Sequence, residues 1–216
     1  MNGKIGMRAL SALFAILLVS VTMVPAVAAY SEAKVYEDAL GSVEIVRETA
    51  SARESYVTVP HKGDSDQKFF VKEWKDEVDG REVWRINVFE VDSRGAVANT
   101  PILRDSYYWN DSTGLHIHFG TYDMDNLIAP GGFLVVESLG AALAVILGLA
   151  ALPALALAVA IAGALIFNAW YYRNLDGSLD MYFSTLTLAL IPVYLAMPGP
   201  QPIVVRLGSH DVPVLI

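Results

Sequence analysis

Hydrophobic and polar positions alternate over residues 30–128 and then give way to almost uninterrupted apolar sequence. Lys68–Trp74 and Arg81–Val91 are rich in aromatic and β-branched residues, and Trp84, Ile86 and Val88 share one face of the second run. Asp79-Gly80 lies between them and tolerates the positive φ angles of a tight hairpin turn. Ser93-Arg94-Gly95 marks the next turn, and Ala96–Leu103 is predicted to return as a further strand. Leu115, Ile117 and Phe119 alternate with His116 and His118, the period of a strand with one apolar and one polar face. Val43–Val46 and Tyr56–Val59 are shorter strand candidates, and Ser31–Leu40 carries a loose helical pattern. These elements predict a small antiparallel meander.

From Ser138 to Tyr172 the chain runs 35 residues without a charged side chain, after a break at Ala129-Pro130-Gly131-Gly132. One helix of that length would measure about 52 Å, against a hydrocarbon core of about 30 Å. Pro153 cannot donate a backbone hydrogen bond, so the run is predicted to form a helical hairpin turning there, or one long kinked membrane helix. Lipid is the expected surroundings. Enclosure within a dissolved protein would instead require an unusually large core. The residues expected to meet lipid are Leu139, Val145, Leu149, Pro153, Leu157, Ile161, Leu165, Ile166 and Phe167. Gly140, Ala144 and Gly148, then Ala156, Ala160 and Ala164, recur every four positions and would let two helices approach closely. Trp170, Tyr171 and Tyr172 suit the headgroup level at the end of such a segment.

Asn174–Asp180 spaces oxygen-bearing side chains around Gly177, but its twelfth position is Thr185 where a calcium loop needs a bidentate glutamate. A polar turn is the simpler expectation. Leu186–Met197 contains Pro192 and suits strand or irregular structure, while Ile203–Val205 and Val212–Ile216 are short extended candidates. The predicted fold is therefore α+β: a small antiparallel β-domain over 30–128, a membrane-associated helical hairpin over 129–173, and an apolar extended tail over 174–216.

Charge follows the same division. Residues 30–137 hold 20 Asp/Glu and 11 Lys/Arg, whereas 138–216 hold three Asp and two Arg. An acidic half without a basic stripe argues against nucleic acid as a partner. Lys4 and Arg8, the apolar run Ala9–Val24 and the small residues Ala26–Ala29 predict a cleaved signal peptide over 1–29 and export. Cysteine is absent, which removes thiol catalysis, Cys-based zinc sites and disulfides. Asn110-Asp111-Ser112 has the form of a glycosylation acceptor.

Candidate chemistry is sparse. His116 and His118 point the same way from one strand and are weak candidates for a metal pair, since a site needs further ligands. Trp74, Trp84, Tyr107, Tyr108 and Trp109 suggest either a sugar-binding platform or, more simply, core. Gly63-Asp64-Ser65 resembles an esterase nucleophile block but lacks its flanking residues and a downstream Asp–His pair. No catalytic set emerges, and no cofactor is called for.

Two functions are expected from these features. In one, a non-enzymatic exported domain is tethered at the cell membrane, where its partners are the lipid bilayer and either itself or another membrane protein. In the other, the chain disrupts membranes. The Leu/Ala/Gly-rich segment 133–173 is similar in composition to the helical hairpins of colicin-type pore-forming bacteriocins, although the long amphipathic helices that surround those hairpins are missing. That resemblance implies secretion and insertion into a target bilayer.

Overall fold

The computed structural model describes residues 34–38, 41–59, 66–128, 133–148 and 154–215. Ten strands form one antiparallel sheet in chain order, each paired with its sequence neighbours. They are β1 (Lys34–Asp38), β2 (Gly41–Glu48), β3 (Ala52–Val59), β4 (Gln67–Val78), β5 (Arg81–Val91), β6 (Leu103–Asn110), β7 (Gly114–Phe119), β8 (Leu179–Ser184), β9 (Pro202–Leu207) and β10 (His210–Leu215). The helices are α1 (Thr121–Ile128), α2 (Phe133–Gly148), α3 (Ala154–Tyr172) and α4 (Thr185–Leu195).

Alternation explains the strands. Val57 and Val59, Phe69 and Val71, Ile86 and Val88, Leu115, Ile117 and Phe119 all point to one buried face. Asp79 and Gly80 turn β4 into β5 with φ of 52° and 76°, in the left-handed region that Asp tolerates and Gly prefers. Two expectations fail locally. Lys34–Asp38 is strand rather than helix, because it pairs along β2 from Lys34↔Ile45 to Asp38↔Gly41. Ala96–Leu103 is mostly loop, tied to β5 by an isolated Val91↔Val97 bridge and by backbone hydrogen bonds from Ala98 to Glu90 and from Ile102 to Val88, and the strand begins only at Leu103.

The larger correction concerns the apolar half. The sheet continues through β8, β9 and β10, so the tail completes the sheet instead of lying apart from it. The apolar run does divide into two helices that pack on one another, but α2 also packs against β3–β6 and α3 against β10. Leu139, Ala141–Val145, Ala158, Ile161, Ala162 and Leu165 are buried in the same core as the inner faces of the strands. Among the described residues no helix is long and apolar enough to cross a membrane. The membrane hairpin and the single kinked membrane helix are both replaced by a helix pair covered by sheet. An uncharged helix buries equally well against lipid tails or against a wall of Val, Ile, Leu and Phe, so composition alone could not distinguish the two.

A reciprocal pair of aspartates docks α1. Asp105 on β6 accepts the backbone N–H groups of Tyr122 and Asp123 at 3.0 and 3.1 Å. Asp123 in turn accepts the N–H groups of Arg104 and Asp105 at 2.8 and 3.1 Å, and the Ser106 hydroxyl at 2.5 Å. Each carboxylate thus satisfies donors of the other's element: the open first turn of the helix, and the β6 backbone.

Candidate binding surface

Outward-facing residues of β5–β9 form two cross-strand rows. In one, the Arg81 guanidinium lies 4.6 Å from the Trp109 ring centroid, and Trp109 stacks on His116 at 4.7 Å with planes 3° apart. His116 then meets Tyr182 at 4.7 Å, with Arg206 5.6 Å above the tyrosine ring. The other row runs from Arg85 to Tyr107, which stacks on His118 at 4.7 Å. His118 Nδ1 lies 2.8 Å from Asp180. Register produces both rows, since Tyr107↔His118↔Asp180 and Trp109↔His116↔Tyr182 are directly opposite pairs.

This stacking decides what the rows can do. A sugar platform needs free ring faces, and here the faces are turned on one another and on guanidinium groups. Trp84 and Tyr108 pack with the core instead. The histidines do not converge on a shared ion: His116 Nε2 lies 3.2 Å from both Asp111 and Thr113, while His118 engages Asp180. Among the described residues no group of three or more His, Cys, Asp or Glu side chains is placed to hold a metal. The hydrogen bond from His118 holds the Asp180 carboxyl below its usual range.

On the inner face one polar cluster interrupts the core. Glu73 is fully buried and faces Arg53 directly across β3–β4. Arg53 Nη2 donates to Glu73 at 2.9 Å, and the Tyr108 hydroxyl donates to the same oxygen at 2.7 Å. Burial alone would lower the Arg53 pKa, but the hydrogen bond and charge of Glu73 outweigh it and raise the value. Burial, then Glu73, pushes the Tyr108 hydroxyl well above its ordinary value. The arrangement is a closed structural ion pair, with every oxygen turned toward its partners.

A different surface lies at the C-terminal end of the sheet. Residues 181–205 contain no Asp, Glu, Lys, Arg or His. Within them α4 is helical where strand or irregular structure was expected. Ser184 caps it by accepting the Thr187 N–H at 3.0 Å, and Pro192 is accommodated inside it. Ile191 is buried and Leu188 and Tyr194 pack on the core, which leaves Leu186, Ala189 and Val193 on the outer side. The outer face of β9–β10 carries Pro202, Val204, Pro213 and Leu215, paired as Val204↔Pro213 and Pro202↔Leu215. Leu186, Val193, Met197, Val204 and Leu215 remain 67, 49, 46, 50 and 64% exposed. A 3.4 Å hydrogen bond from Thr187 Oγ1 to the Val204 carbonyl joins the helix to the hairpin. Both elements thus expose uncharged apolar side chains, and the Arg206–Asp211 ion pair at 2.8 Å follows on the hairpin.

The residues expected to meet lipid lie elsewhere. Leu139, Val145, Ile161 and Leu165 are buried and Ile166 is half-buried against the core. Leu149 and Pro153 fall outside the described residues, as do the side chains of Leu157 and Phe167. Of the small residues expected at the helix contact, Gly140 faces Val159 of α3, Ala144 is buried and Ala164 packs on the core. The side chains at Gly148, Ala156 and Ala160 are outside the described set. Tyr171 is exposed, Tyr172 meets His210 in a tilted contact at 4.8 Å, and the Trp170 side chain is not described. The predicted signal peptide over 1–29, residues 31–33 and 39–40 of the predicted helix, the Gly63-Asp64-Ser65 block and the break at 129–132 also lie outside the described residues. The exposed surface on α4 and β9–β10 was not anticipated, although 25 consecutive uncharged residues beyond the helix pair were its signal.

No known protein family matches the chain, and neither the curated proteins nor the solved structures contain a match.

Proposed function

We propose that this chain is an exported, non-enzymatic protein that associates with a lipid surface through α4 and the outer face of β9–β10. The observation that carries the reading is the exposed, uncharged face of a helix that is apolar all round. Such a helix is normally covered on every side, yet among the described residues only the Ile191 side of α4 is buried by the chain itself. The two-faced apolar hairpin beside it makes the same demand, because strands with apolar residues on both faces are normally covered on both.

Two considerations favour lipid over a second copy of the chain. A stable protein interface covers about 800 Å² on each partner, and the five largest exposed apolar side chains of this surface fall short of that on their own. A helix lying in the bilayer interface needs only a few apolar side chains buried about 5–10 Å deep. Export rests on the N-terminal pattern of Lys4, Arg8 and Ala9–Val24 followed by small residues. The absence of enzymatic activity is inferred from His116 and His118, whose rings are stacked within rows, and from Thr113 beside His116, whose hydroxyl donates to Asp111 at 2.6 Å in the β6–β7 turn.

The test is flotation of the purified chain with phosphatidylcholine vesicles. The wild-type chain should float, and the double substitution Leu186→Glu/Val193→Glu should stay in solution while keeping its circular dichroism spectrum. A wild-type chain that remains unbound, or that forms a stable dimer lost in the same variant, would overturn the reading.

A further inference from the structure

Resting on that lipid reading, we infer that the surface selects neutral, zwitterionic headgroups and is repelled by anionic ones. Attraction to anionic lipid comes from Lys and Arg clustered at the surface, worth about fivefold in affinity for each basic residue. The last lysine in this chain is Lys75, and residues 138–216 hold only Arg173 and Arg206. Arg206 is held at 2.8 Å by Asp211, and Arg173 lies 3.9 Å from Asp125, so each carries its charge beside a carboxylate. Asp176 is exposed on the preceding turn, and Asp180 lies at the start of β8. The chain as a whole is acidic, at a net −8. An approaching anionic bilayer therefore meets like charge on the body of the protein and, among the described residues, only the carboxylate-paired Arg206 beside the docking face. A zwitterionic bilayer presents no net field and leaves the apolar contact as the driving term.

Flotation with vesicles of pure phosphatidylcholine and of phosphatidylcholine containing 30% phosphatidylglycerol, each at 20 and 150 mM salt, reads the selectivity directly. At 20 mM salt the partition coefficient should fall severalfold on the anionic vesicles. The difference should shrink at 150 mM, where exposed charges are screened beyond about 8 Å. Adding lysines at two exposed α4 positions, Thr185→Lys/Ala189→Lys, should reverse the order. Equal partition into both vesicle types, or stronger binding to the anionic ones, would overturn the selectivity while leaving lipid association intact. Failure to partition into either would overturn the lipid reading itself.

Discussion

Gly140 on α2 approaches Val159 on α3 so closely that a Cβ on the glycine would lie 3.2 Å from Val159 Cγ2. This contact sets the spacing of two helices already enclosed by the sheet, so neither helix can move away to make room. Gly140→Leu should cost about 1–3 kcal/mol, as overpacking of a filled core does. Combining it with Val159→Ala should recover part of the loss. Urea midpoints of the three variants check this, and additive losses would show that the contact does not limit helix spacing.

The Arg53–Glu73–Tyr108 cluster predicts an unequal response to removal. Glu73→Leu leaves the Arg53 guanidinium, whose side chain is 17% exposed, without its buried partner and should destabilise by about 3 kcal/mol. Replacing all three, as Arg53→Met/Glu73→Leu/Tyr108→Phe, removes the charges together and should be less harmful than the single change. Chemical denaturation compares them directly. A triple variant weaker than the single one would mean that the cluster adds net stability beyond its own desolvation.

The strands were legible because alternation is local: Leu115, Ile117 and Phe119 declare their inner face and His116 and His118 their outer one without reference to any partner. The partners of those histidines were not legible, since Trp109 and Tyr182 reach His116 only through the registers of β6–β7 and β7–β8. The helix pair was legible as apolar and close-packed, but its surroundings depend on strands that are distant in sequence. Glu137 at 8% exposure and Ser138 at 0% show the same ambiguity, buried polar residues at the entrance to an apolar helix. For α4 the competing signals were Pro192 and two threonines against a Leu- and Ala-rich run, and the cap from Ser184 to Thr187 favours the helix.

Gly114 begins β7 at the seam where the sheet resumes after the helical insertion, opposite Ser184 of β8. A Cβ there would fall 2.0 Å from the Phe183 backbone oxygen, and φ is 154°. The obstacle is backbone rather than a side chain that could rotate aside. Gly114→Ala should therefore separate β7 from β8 locally, with a loss of about 2 kcal/mol or more in the range set by disruptive core changes. Hydrogen exchange should show faster amides in 114–119 and 179–184 than in β3–β5. Unchanged protection across the seam would show that the glycine is replaceable.

Asp123 gives the pH dependence its sign. Its carboxyl is fully buried, and burial first, with the neighbouring Asp105 acting the same way, pushes its pKa up to about 7 against the hydrogen bonds from Ser106 and Arg104. The folded state therefore holds a proton that the unfolded chain releases near pH 4. Between those values the native state binds more protons, so this group's contribution falls as pH rises through about 7 and is complete only below about 4. Urea midpoints should decline from pH 5 to pH 8, and Asp123→Asn, which is neutral throughout, should flatten that decline even if it lowers the midpoint overall. An unaltered slope in the variant would assign the pH response to other groups.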